Sequence, residues 1–191
     1  AENSGSEDIL ISSSGTATGG VDNPDENSLV AGISAWNGTN SSNIEIDANN
    51  ASGISYGIWA QNEGDGSTTI TVNGRVTGKI GISSSGPTTV NVKPTAEIST
   101  SVRAIITSDF NDIINIEGTV NSGPGGVVLL YDGADTVNIY SSADWTGAIN
   151  GGSGEDHVNF LFAREEISSF ETFIDASTLV TRFQTNSKQC D

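Results

Sequence analysis

The sequence contains no methionine and only one cysteine, Cys190, so the chain can form no internal disulfide. A single thiol beside the C-terminus is either idle or able to pair between chains. Hydrophobic residues make up 35% of the 191 residues, and 23 residues are glycine. This is little apolar material for the thick core of a two-layer fold. A thin core, in which each repeat buries its apolar face only against its neighbours, needs less.

Positive charge is scarce. Seven Lys and Arg residues stand against 24 Asp and Glu residues, which gives a formal net charge of -17. Nucleic-acid binding needs clustered cations, so we expect no nucleic-acid partner. The same charge disfavours attraction to anionic lipid surfaces. No apolar stretch approaches the length of a membrane span, so no membrane insertion is expected either.

The first residues lack an initiator methionine and an apolar signal segment, because the chain opens Ala1-Glu2-Asn3. A mature chain begins in this way once a signal peptide has been removed. We therefore expect an exported protein.

Short triplets, in which two hydrophobic residues flank a third residue, recur along the chain. The position of the last residue advances by 35, 26, 20, 24, 23 and 21 from one triplet to the next. After two irregular steps the period settles into a range that is typical of solenoids. Each triplet reads as a short strand with two side chains pointing in and one pointing out. The triplets are Ile9-Leu10-Ile11, Ile44-Glu45-Ile46, Ile70-Thr71-Val72, Val90-Asn91-Val92, Ile114-Asn115-Ile116, Val137-Asn138-Ile139 and Val158-Asn159-Phe160.

This repeat predicts an all-β fold, a right-handed parallel β-helix (β-solenoid) of about seven short rungs over residues 1–162. A rung is one turn of the coil. After Phe162 the period stops, and we interpret residues 163–191 as a C-terminal cap or assembly segment, because terminal repeats need one. The alternative fold is an antiparallel β-sandwich, which does not require a triplet to return at a constant period. Stacked rungs also predict an outward amide ladder, formed by Asn91, Asn115, Asn138 and Asn159.

Two units of the sequence, Tyr131 to Ile139 and Gly151 to Phe160, resemble the repeats of bacterial autotransporter passenger domains. The segment Ile167 to Phe173 resembles a sequence motif that is often found at the end of such a passenger domain. The resemblance implies a Gram-negative exported β-helix, located outside the cell or at its surface. It departs from that family in one respect, since no membrane barrel is present in these residues. The expectation is therefore an isolated passenger or a free-standing secreted relative.

Acidic residues form the strongest constellation. Asp112, Asp135 and Asp156 each lie four residues before the end of a triplet, so they should stack on three successive rungs. Asp109 and Asp132 lie three residues earlier on two of those rungs. Calcium takes several carboxylate and carbonyl oxygens in loose geometry, so these five residues are candidate calcium ligands. The alternative is that they only form turns.

No catalytic constellation accompanies this column, and we predict that the protein is not an enzyme. A glycoside hydrolase needs two carboxylates across a cleft. None of the seven cations joins the column by rung position to act as the base of a lyase. His157 is the only histidine, and the pattern assembles no Ser-His-Asp set around it. Trp59 and Trp145 are able to stack on sugars if they are exposed.

Two non-catalytic functions remain. The first is a self-assembling subunit of an extracellular fibre or matrix, because the open strand edges at solenoid ends template further strands. The second is a soluble adhesin or effector passenger that binds a cell surface or a glycan. A filament subunit needs complementary, apolar ends, whereas a lone passenger needs polar caps.

Overall fold

The computed structural model describes residues 1–3, 7–19, 30–39, 42–161 and 180–183, and these residues form β-strands without any helix. No helix in this part of the chain has the length and apolar character needed to cross a bilayer. The strands are β1 (Glu2–Asn3), β2 (Ile9–Thr18), β3 (Ala31–Asn37), β4 (Ile44–Ser52), β5 (Tyr56–Asn62), β6 (Thr68–Val72), β7 (Arg75–Ser85), β8 (Thr88–Val92), β9 (Glu97–Ile106), β10 (Ile113–Ile116), β11 (Thr119–Asn121), β12 (Val128–Leu129), β13 (Thr136–Tyr140), β14 (Asp144–Thr146), β15 (Ile149–Asn150), β16 (His157–Leu161) and β17 (Val180–Phe183).

The strands lie in three stacks around one core, and all pairings among the described residues are parallel. The first stack contains β2, β4, β6, β8, β10, β13, β16 and β17. The second contains the ends of β2 and β4, the starts of β7 and β9, and then β11 and β14. The third contains β1, β3, β5, the ends of β7 and β9, β12 and β15. The chain is thus a parallel β-solenoid of about five complete turns, and the antiparallel sandwich is excluded.

All seven predicted triplets lie on neighbouring strands of the first stack, but their expected alignment is wrong at one step. Ile46 pairs with Ile70 and not with Val72. The first two triplets are therefore displaced by two residues across the face from the five later ones. The step of 26 residues between the second and third triplets is therefore one turn of 24 residues plus this offset of two. A shift of two residues is tolerated because it keeps the same side chains pointing inward.

The core is a set of aliphatic columns, each built from one residue per turn. Ile46, Ile70, Val90 and Ile114 follow one another in the first stack and are fully buried. The second and third stacks add their own columns, which include Val76, Ile98 and Val120, and Ile58, Ile82, Ile105 and Val128. Each residue packs mainly on its counterparts one turn away, which explains how a chain with 35% hydrophobic residues fills a core.

The predicted amide ladder is confirmed on the outside of the first stack. Asn115 Nδ2 donates to Asn91 Oδ1 at 2.8 Å, and Asn138 Nδ2 donates to Asn115 Oδ1 at 2.8 Å. Asn159 Nδ2 continues the chain to Asn138 Oδ1 at 2.9 Å. The four amides thus tie four successive turns together.

The predicted cap, residues 163–191, lies outside the described residues except for β17. This strand pairs in parallel with β16 and places Phe183 in register with Phe160. The first stack therefore gains one more strand beyond the predicted end of the repeat.

Candidate functional site

The acidic column lies inside the solenoid wall, where the chain enters β10, β13 and β16. Asp112, Asp135 and Asp156 are buried, and each directly precedes one of these strands. The backbone N–H of Thr88 donates to Asp112 Oδ1 at 2.7 Å, and the N–H of Asp112 donates to Asp135 Oδ1 at 2.8 Å. The N–H of Asp135 donates to Asp156 Oδ1 at 3.1 Å. The predicted stacking of these three residues is confirmed.

Each carboxylate in the column provides an acceptor for a buried backbone donor of the preceding turn. Buried N–H groups are costly without an acceptor, which explains a polar side chain at this position. In earlier turns the position equivalent to Asp112 is not acidic. It is occupied in succession by Ile44, Thr68 and Thr88. Thr88 uses its hydroxyl to donate to the carbonyl of Gly86 at 2.8 Å. The column therefore changes from apolar to hydroxyl to carboxylate along the axis.

Burial raises the pKa values of two aspartates in the column. Burial raises the pKa of Asp112 to about 6, while the Thr107 side chain and the N–H groups of Thr88 and Ser108 oppose the rise in pKa. The Thr107 hydroxyl lies beside this carboxyl without reaching normal hydrogen-bond geometry. Burial also raises the pKa of Asp135, to about 7.

Two further contributions act on the pKa of Asp135. The N–H of Asp112 lowers it, and the negative charges of Asp112 and Asp156 raise it. The second carboxyl oxygen of Asp135 is buried and accepts no hydrogen bond from the described residues, and that of Asp112 lies near the N–H of Ser108 but outside normal hydrogen-bond geometry. Two stacked carboxyls with raised pKa values and unused oxygens are suited to holding protons near neutral pH.

The five predicted calcium ligands do not come together on one side of the wall. Asp109 and Asp132 are exposed on the turns, whereas the other three are buried. The described residues contain no group of three or more His, Cys, Asp or Glu side chains that could hold a metal ion. Calcium binding therefore stays a prediction. The alternative, that these residues form turns, has the hydrogen bonds described above in its favour.

The other singled-out residues lie apart from this column. His157 lies at the start of β16, with Nε2 3.9 Å from Glu155 Oε1. Trp145 is half-buried and packs against Phe160, with ring centroids 6.4 Å apart. Trp59 is also half-buried, but it lies on the outside of the third stack, where the residue on each side of it in β5 is buried.

Sequence reasoning missed the outer surface of the third stack as a unit. Its residues are separated by about one turn each in sequence, and no triplet marks them. One signal in the sequence could have identified them. From β3 onward, the strand segments of the third stack contain no Asp or Glu, although the chain has 24 acidic residues.

Comparison with known proteins finds no matching protein family, no matching characterised protein and no matching solved structure.

Proposed function

We propose that the protein is a non-catalytic, secreted structural protein, a right-handed β-solenoid subunit that assembles end to end into an extracellular fibre or matrix. In this proposal the coil has about seven rungs, and residues 163–191 form its cap or assembly segment. The autotransporter-like repeats support a bacterial exported protein.

The observation that carries the proposal is the outer edge of β2, a strand of ten residues. Among the described residues β2 pairs along its length with β4 alone, so its other edge has backbone groups available for a further strand. Such an edge templates the addition of another chain unless it is blunted.

Apolar residues lie at the same end of the solenoid. Ile11 points toward the core but is only partly buried, whereas its neighbour Ile46 in the next turn is fully buried. Ala17 is likewise partly buried, and Leu10 is 70% exposed on the outside. This end therefore offers the apolar surface that an axial contact between copies requires.

Charge makes end-to-end contact depend on salt. The segment from Ala1 to Gly74 contains ten acidic residues and no Lys or Arg, and residues 131–191 contain ten acidic residues and three Lys or Arg. Both ends of the chain are therefore acidic, so screening by salt should promote contact between them. A heterologous contact that does not close into a ring gives an open filament.

The test is electron microscopy and light scattering of the purified protein in low and high salt. Leu10→Lys should shorten the polymers, because it places a charge beside the open edge. Ile113→Lys is the matched control, since Ile113 lies in the same outward column, in the middle of the stack, and is also exposed. A strictly monomeric protein at high concentration in both salts would favour the alternative, a soluble adhesin or effector passenger.

A further inference from the structure

The outside of the third stack differs in charge from the rest of the molecule. Its strand segments from β3 onward, which we call the third face, contain no Asp or Glu and carry Lys79 and Arg103. These are two of the four Lys and Arg residues whose side chains the structure describes. The other two form ion pairs with glutamates of the next turn, Arg75 with Glu97 at 3.4 Å and Lys93 with Glu117 at 3.6 Å.

Lys79 and Arg103 form no ion pair with any residue in the described ranges. The carboxylate of Glu63, which follows β5, does reach the third face, where Gln61 Nε2 donates to it at 2.6 Å and Trp36 Nε1 at 3.4 Å. In a chain with a net charge of -17, the two cations without an ion pair make the part of the third face around Lys79 and Arg103 the place where a negative group meets the least repulsion.

Two columns of half-buried side chains run along the third face, parallel to the solenoid axis. Successive members are one turn apart, a spacing of about 4.8 Å between neighbouring strands. Each column contains one aromatic residue. The first column is Tyr56, Ile80 and Arg103, and the second is Trp59, Ser83, Ile106, Leu129 and Asn150. The first column ends at Arg103, and the second passes the same turn at Ile106 and ends at Asn150.

A groove of about 250 Å³ lies at the end of these columns, lined by Arg103, Leu129 and Asn150 together with glycine-rich turns. Arg103 Nε donates to the carbonyl oxygen of Gly125 at 2.7 Å, which fixes the guanidinium group at the groove wall. A volume of this size suits one small ring and not a larger molecule, for which pockets are typically above about 300 Å³.

Glycine keeps the groove open. Gly126 has a φ of 91° and Gly147 a φ of 117°, values that side-chain-bearing residues rarely adopt. The turns that form the groove walls can therefore bend closely around it without filling it with side chains.

We propose that the third face binds a glycan chain that lies along the solenoid axis, with a carboxylate-bearing sugar in the groove at Arg103. Neutral sugars of the same chain lie over Trp59 and Tyr56. A guanidinium group forms two parallel hydrogen bonds with a carboxylate. Aromatic rings supply flat apolar surface for the carbon-bound faces of sugar rings, with a polar tip for their hydroxyls.

The charge of the chain selects the kind of glycan. Duplex DNA carries one negative charge per about 1.7 Å, so a -17 protein repels it strongly. A single carboxylate in an otherwise neutral sugar chain meets far less repulsion and is held where the local charge is positive. The inference does not depend on end-to-end assembly.

The test is calorimetric titration of the full chain with two matched probes. One is a xylotetraose with a single glucuronate branch, and the other is the unbranched xylotetraose. A panel of immobilised uronate-bearing and neutral oligosaccharides of other linkages covers different backbones. We expect the uronate-bearing chains to bind at least tenfold more tightly than their neutral counterparts.

Variants separate the two parts of the site. Arg103→Gln should remove the preference for the carboxylate, so that uronate-bearing and neutral chains bind about equally. Trp59→Ala should weaken both, and Trp59→Tyr should restore part of the affinity. Arg75→Gln, on the second stack, is the control and should bind like the unmodified protein. Melting curves of each variant show whether a loss of binding is a loss of folding.

The proposal is wrong if no uronate-bearing glycan of the panel binds, if neutral chains bind equally well, or if folded Arg103→Gln and Trp59→Ala variants retain full affinity. Light scattering on the same variants separates this result from the fibre proposal. If Arg103→Gln abolishes polymers and no glycan binds, the third face contacts a second copy of the chain instead.

Discussion

The backbone N–H of Asp112 donates to the carboxylate of Asp135, one turn further along the chain, at 2.8 Å. One turn earlier Thr88 donates to Asp112 in the same way. Each aspartate therefore serves as the acceptor for the turn before it, and a buried carboxyl replaces an aliphatic side chain in the wall of the solenoid. The consequences for stability can be measured.

Stability should fall as the pH rises from about 4 to about 7. The folded-state pKa values of Asp112, about 6, and Asp135, about 7, lie above the ordinary value of 3.8, so folding takes up protons between these values. The stabilising protonated forms are fully present below pH 3.8 and are lost as the pH passes through the raised pKa values. Each unit by which a pKa is raised corresponds to about 1.4 kcal/mol of stability that is lost over this pH range.

The measurement is urea unfolding across this pH range. Asp135→Asn should make the free energy of unfolding less dependent on pH, because its titrating group is gone. Asp132→Asn, which changes an exposed aspartate three residues away, should leave the pH dependence unchanged. Equal slopes in the unmodified protein and Asp135→Asn would contradict the role given to the buried column.

Removing the middle of the amide ladder should destabilise the fold more than removing its start. Asn115 donates to Asn91 and accepts from Asn138, whereas Asn91 makes only the first of these bonds within the ladder. A hydrogen bond contributes about 1 kcal/mol, so Asn115→Ala should cost about 2 kcal/mol and Asn91→Ala about half as much. Chemical denaturation measures both, and equal losses would show that the ladder bonds add nothing beyond local packing.

A methyl group at Gly152 should be strongly destabilising. Its φ is 89°, and an added Cβ would collide with the carbonyl oxygen of Tyr131. Gly152→Ala should therefore lower the free energy of unfolding by at least about 2 kcal/mol. Gly15→Ala is the control, because a Cβ there meets no atom within 4 Å, and it should be neutral or stabilising by about 0.5 kcal/mol. A thermal melt of both variants gives the comparison.

Calcium should raise the melting temperature if the predicted acidic ligands bind it. A ligand specific to the folded state adds about 2.7 kcal/mol at a hundredfold excess over its Kd. Melts in EDTA and in millimolar calcium test this, with Asp132→Asn expected to reduce the difference and Asp47→Asn, on the first stack, expected to preserve it. An identical melting temperature in the two buffers would leave Asp109, Asp112, Asp132, Asp135 and Asp156 as turn residues.

The parallel stack and the amide ladder follow from the amino-acid sequence alone. Alternation of inward and outward side chains is a local property of a strand, and a period of about 22 residues is readable without coordinates. Together they place Asn115 above Asn91 and Asp135 above Asp112, as the hydrogen bonds confirm.

Three features depend on the three-dimensional fold and could not be read from the sequence. They are the two-residue offset at Ile70, the separation of the acidic residues and the composition of the third face. Asp109 and Asp112 are three residues apart, yet one is exposed and the other is buried, because the turn between them changes the side of the wall on which a side chain lies. Trp59 and Leu129 reach the same face from distant parts of the sequence. Their alignment depends on the length and bend of every intervening turn, and these vary from turn to turn without changing the inward and outward pattern of the strands.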